Sequence, residues 1–108
     1  MYIIIREVYN KEGKLDKYDP IVISTFKKPC LEVAGKIATD IANDIYPVRE
    51  WFEERDKPLI LTKRPNSFKL TSSFNKKKAI RYLVKELPGN AFENSHFIDD
   101  YLRDQYER

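Results

Sequence analysis

The stretch Phe74-Asn75-Lys76-Lys77-Lys78-Ala79-Ile80-Arg81-Tyr82-Leu83-Val84-Lys85-Glu86-Leu87 decides how this chain is read. At 100° per residue, Ala79, Ile80, Leu83, Val84 and Leu87 fall in one arc. Lys77, Lys78, Arg81 and Lys85 fall in the opposite arc, with Tyr82 beside them. The spacing predicts an amphipathic helix from about Phe74 to Leu87, stopped by Pro88-Gly89, with its apolar side in the core and its basic side in solvent. Only Glu86 interrupts the positive side. A solvated helix face usually mixes signs, because opposite charges at i, i+4 support each other and like charges do not. Lys76, Lys77 and Lys78 would occupy the first turns, where the macrodipole already places positive charge and each added cation costs roughly 0.3–1 kcal/mol at low salt. The same position, with free backbone N–H groups and the hydroxyls of Ser72 and Ser73, suits an anion such as phosphate, which would turn that cost into a gain.

Charge is sorted along the chain in a way that supports this. Residues 55–90 hold ten Lys/Arg against two acids, whereas residues 1–54 hold eight against ten and residues 91–108 two against five. A positive field gathered on one face of a small domain attracts polyanions. Lys63, Arg64 and Lys69 extend the surface begun by Ser72, Ser73, Lys76, Lys77, Lys78, Arg81, Tyr82 and Lys85. Together these residues form the candidate nucleic-acid-binding set. Phe68 and Phe74 are read as core residues, with a base-stacking platform as the alternative. A lysine triplet that serves only solubility, or an acidic C-terminal segment (Glu93, Asp99, Asp100, Asp104) folding back to neutralise the patch, are the plainer readings.

The rest of the chain is read outward from there. Tyr2–Tyr9 alternates as a strand, Asn10-Lys11-Glu12-Gly13-Lys14 suits a turn in which Gly13 takes positive φ, and the return strand is placed at Ile21–Phe26, after Pro20. Pro29 opens a helix with Leu31, Ala34, Ala38, Ile41 and Ile45 as its apolar stripe, and Gly35 marks a close crossing. Pro47 ends it and begins a short second helix whose Trp51 and Phe52 are core. Leu59–Lys63 and Phe68–Thr71 flank a Pro65-Asn66 turn as a second hairpin. Asn90 and Glu93 match a cap for a last helix bearing Phe97, Ile98, Tyr101 and Leu102. A likeness between residues 24–28 and 72–76 suggests two hairpin–helix units. The expectation is one α+β domain over residues 1–108: two hairpins in one small antiparallel sheet, packed by about four helices in the order ββααββαα.

Catalytic chemistry finds little purchase. His96 is the only histidine; Glu93, Asp99 and Asp100 near it have a carboxylate–histidine spacing, for which a solvated acidic face is the better reading. Cys30 beside Pro29 at a helix start is read as structural, the alternative being a thiol of lowered pKa. No glycine-rich phosphate loop is present among three glycines. No cofactor or metal is expected. A lone cysteine fits a reducing compartment, and no apolar run reaches the length of a membrane span, so the expected setting is intracellular.

In size, Lys-, Ile-, Asn- and Tyr-rich composition and freedom from catalytic motifs, the chain resembles the small accessory proteins of phages, archaeal viruses and plasmids. That resemblance is one of style and carries no residue roles. It implies a host cytoplasm and a partner that is a nucleoprotein complex or an acidic protein surface, such as a CRISPR effector or another defence complex held by protein–protein contact. The leading expectation is non-enzymatic binding of nucleic acid or a nucleoprotein through residues 63–85. Inhibition of a host complex by protein contact comes second, and a small nuclease working without histidine comes third.

Overall fold

In the computed structural model, which describes residues 1–43, 59–88 and 97–107, the stretch from Ala79 to Glu86 is a β-strand. Eight residues of this composition satisfy a period of 3.6 and a period of 2 almost equally, and a tertiary partner decides between them. The partner is Tyr2–Tyr9 (β1), which pairs with the whole stretch in antiparallel register from Tyr2 opposite Glu86 to Tyr9 opposite Ala79. The ladder sets Ile4 against Val84 and Val8 against Ile80, apolar cross-strand pairs that stabilise a sheet. The expected helix over residues 74–87 and its basic arc are therefore corrected.

Two hairpins flank this central pair. β1 turns at Asn10 into β2 (Leu15–Ser24). Asn10 Oδ1 accepts from the N–H groups of Glu12 and Lys14, and Gly13 has φ 81°, as expected for the turn. β2 begins earlier than Ile21 and runs through Pro20. It lies at the sheet edge, and its register shifts between Ile4 and Ile5, where Pro20 comes opposite Ile5. An edge position and a bulge are the settings in which a strand tolerates a residue without an N–H. The second hairpin, β3 (Ile60–Arg64) and β4 (Ser67–Thr71), stands as expected around Pro65-Asn66. With β5 (Ala79–Glu86), these strands form one five-stranded antiparallel sheet in the order β2-β1-β5-β4-β3.

Helix α1 (Lys27–Ala42) lies on one face of the sheet. Its buried stripe, Cys30, Ala34, Ala38 and Ile41, packs with Ile4, Val8, Leu70, Ile80, Tyr82 and Val84. Gly35 is the close crossing: a Cβ there would stand 3.2 Å from Phe68 Cζ on β4. Helix α2 (Phe97–Tyr106) covers the other face over β1, where Ile3, Ile5, Leu87 and Leu102 form a second, smaller cluster. β1 is thus apolar on both sides because both sides are covered.

The architecture is α+β with two helices among the described residues, which replaces the expected four in the order ββααββαα. The second hairpin is followed by a strand, so the two halves are not repeats. The short helix expected after Pro47, with Trp51 and Phe52, and the cap at Asn90 and Glu93 lie outside the described residues. No helix among the described residues is long and apolar enough to cross a membrane.

Candidate functional site

Pleating assigns alternate residues of each strand to opposite faces. On β5, Ile80, Tyr82 and Val84 face α1, while Arg81, Leu83 and Lys85 face the side that carries α2. The same side receives Ser67, Lys69 and Thr71 from β4 and Ile60, Thr62 and Arg64 from β3, as the register requires. Helix α2 sits over β1. Among the described residues, the β5-β4-β3 half of this face holds a concave groove of about 480 Å³. Its cations are Arg64, Lys69, Lys76 and Arg81, and its hydroxyls come from Thr62, Ser67 and Thr71.

Lys69 and Arg81 are direct cross-strand neighbours, an unfavourable placement of like charges. The relief comes from β1. Glu7, opposite Arg81 and only 2% exposed, accepts a hydrogen bond and ion pair from Arg81 Nε. Burial would raise the Glu7 carboxyl. The Arg81 guanidinium, with smaller help from the hydroxyls of Tyr106 and Tyr9, outweighs burial and holds its pKa below the usual carboxylate value. Burial and then the Glu7 carboxylate push Tyr106 well above the usual phenol value, and Tyr9 is raised for the same two reasons. The Tyr106 hydroxyl is buried and stops short of a hydrogen bond among the described residues. Its ring stacks on Tyr18 at 4.5 Å, and Tyr18 donates to Glu107 Oε1 at 2.7 Å, so the end of α2 is fastened beside this cluster.

Of the residues singled out from sequence, Arg64, Lys69, Lys76 and Arg81 come together in the groove. The others do not. Lys63 lies opposite Phe68, whose ring packs on Gly35, so it belongs to the α1 side. Tyr82 is buried in the core under α1, away from the charges it was grouped with. Lys85 is on the groove side of the sheet but bonds Gln105 Oε1 of α2 at 3.1 Å. Residues 72–78 form a turning connection with no helix N-terminus, so the macrodipole argument for an anion there falls. Ser72 is buried, and its Oγ accepts from the N–H groups of Phe74 and Asn75, which commits it to the turn. Ser73 is exposed. Asn75 Nδ2 donates to the Lys11 carbonyl and the Lys77 stem packs over Gly13, joining this connection to the β1–β2 turn. Lys78 is buried, 7% exposed.

Phe68 is core, as expected, whereas Phe74 is 69% exposed, against the core reading. Cys30 is buried, and burial pushes its thiol pKa up, which favours the structural reading over a reactive thiol. Among the described residues, no group of three potential metal ligands occurs; His96 lies outside them.

Sequence reasoning missed Glu7, Thr62, Ser67 and Thr71. Glu7 left a signal: it is an acid on the Ile3-Ile5 side of an otherwise apolar strand, where a charge needs a buried partner. The chain matches no family model, no curated protein and no solved structure.

Proposed function

We propose that the protein binds nucleic acid, free or within a nucleoprotein complex, through the basic groove on its sheet. The observation that carries this reading is the convergence of Arg64, Lys69, Lys76 and Arg81 on one concave surface, where only Arg81 has an ion-pair partner among the described residues. Cations brought together without matching acids raise the local potential and draw a polyanion to the site. The threonine and serine hydroxyls between them supply further hydrogen bonds to phosphate and sugar oxygens.

Contact with three or four phosphates gives a logarithmic salt slope of roughly −2 to −4, at about 0.7–0.9 per phosphate. The test is fluorescence anisotropy with a labelled oligonucleotide at two salt concentrations. Arg64→Glu with Lys69→Glu abolishes binding while the circular dichroism spectrum is retained, and Lys63→Gln, on the α1 side, leaves binding unchanged. Absence of binding at about 50 mM salt, or equal loss from Lys63→Gln, overturns the reading.

A further inference from the structure

The groove is bounded, and its bounds narrow what it takes. We infer that it is a site for a terminal phosphate, a phosphate monoester dianion at the end of a nucleic-acid strand or on a free nucleotide, with Arg81 as the group that reads it. This inference rests on the nucleic-acid reading above and restricts it to one part of the ligand.

Three features carry it. The first is the state of Arg81. Its Nε–H is committed to Glu7, and Glu7 is buried, so the plane of the guanidinium is set by the sheet. Tyr9 also interacts with the guanidinium, yet the Arg81 side chain stays 35% exposed and lines the groove. A guanidinium held through Nε and partly exposed to the groove can turn N–H donors toward two oxygens of one phosphate.

The second is charge. Glu7 returns one negative charge against Arg81, and Arg64, Lys69 and Lys76 remain uncompensated among the described residues. That surplus within one concavity fits a monoester, which carries about −1.5 to −2, better than a diester.

The third is extent. The groove's 480 Å³ is the volume of a small-ligand site, within the usual range of about 300–1,000 Å³. Basic residues that would have continued a track are withdrawn from this face: Lys63 to the α1 side, and Lys85 to Gln105 of α2. Thr71 donates its hydroxyl proton to the Ile60 carbonyl, which leaves Thr62 and Ser67 as the hydroxyl donors. The half-exposed Ile60 side chain gives an apolar wall against which a sugar or base can rest.

The experiment compares one short single-stranded oligonucleotide in three forms: 5′-phosphorylated, 3′-phosphorylated, and hydroxyl-ended at both termini. A nucleoside monophosphate and its nucleoside are titrated separately. One phosphorylated form binds at least about tenfold tighter than the hydroxyl-ended form, the effect of one good charge-assisted contact pair. Arg81→Lys, which keeps the charge but loses the fork, abolishes that preference, whereas Lys63→Gln, on the α1 side, retains it. If Arg81→Lys fails to fold, Lys69→Gln is measured in its place and reduces the preference by lowering the charge surplus. Direct binding of the nucleoside monophosphate and not of the nucleoside, measured by calorimetry, identifies a free nucleotide as a ligand. That outcome supports the inference even if no oligonucleotide binds. Equal affinity for all three oligonucleotide forms overturns the inference and leaves nucleic-acid binding in place. Failure of every phosphate-bearing probe to bind overturns both.

Discussion

Removing either partner of the Glu7–Arg81 pair breaks the same contact, but the two replacements differ sharply in cost. Arg81→Met leaves a carboxylate that is 3% exposed at its side chain with no cation beside it, and a buried charge stripped of its partner costs about 3–5 kcal/mol. Glu7→Gln leaves a guanidinium that is 35% exposed, which water solvates in part, and glutamine still offers an oxygen to Nε; the loss is about 1 kcal/mol. The pH dependence separates them further. In the native protein the Glu7 pKa is lowered, so its contribution is present above the ordinary carboxylate value and is lost as pH falls through the lowered one. In Arg81→Met, burial, the largest influence on Glu7, is opposed only by the Tyr106 and Tyr9 hydroxyls and raises the Glu7 carboxyl. The penalty is then fully present at neutral pH and is relieved as pH falls through the raised value. Urea melts at about pH 7 and about pH 4 therefore show a large deficit for Arg81→Met that shrinks in acid, and a small deficit for Glu7→Gln. Equal deficits for the two variants, unchanged between the two pH values, refute the reasoning.

Two further outcomes test the fold. Ile80→Ala, which empties a buried site between β5 and α1, lowers stability by about 2–5 kcal/mol, whereas Leu83→Ala, on the partly exposed groove side, costs about 1 kcal/mol; urea melts of the pair distinguish a strand from a helix that would bury both. Gly35→Ala gains up to about 1 kcal/mol in helix propensity but sets a methyl 3.2 Å from the Phe68 ring, so overpacking of about 1–3 kcal/mol prevails and the variant melts earlier, a loss that Phe68→Leu in the same chain reduces.

What the sequence disclosed depended on whether the deciding information was local. Helix α1 spans sixteen residues, long enough for the 3.6-residue period to exclude alternatives, and both hairpin turns carry their own chemistry in Asn10, Gly13 and Pro65-Asn66. β5 is eight residues long and fits either period. What makes it a strand is β1, far away in the chain, and no window centred on Arg81 contains that partner. The candidate site shared the same fate. Charge sorting picked out Arg64, Lys69, Lys76 and Arg81, because cation density is a local property. Their common face was not legible, since it depends on the period assigned to β5 and on the cross-strand register. A helical period placed Tyr82 among the cations and Leu83 in the core; the pleat reverses both. Glu7 was invisible as a site residue because its role is defined by an arginine 74 positions later.

The place of β1 between β2 and β5 also governs the order in which the molecule assembles. One side of β1 is satisfied by an adjacent hairpin, which closes quickly but is marginal by itself. The other side waits for a segment dozens of residues downstream, so much of the loop-closure entropy must be spent before the central ladder gives any return. Folding is accordingly slow for a chain of this size. During synthesis, the Ile3-Ile4-Ile5 edge stays open until β5 leaves the ribosome. A chain cut short before Ala79 therefore exposes an apolar strand with one side ready to pair with another molecule, and self-association of truncated products is built into the strand order itself.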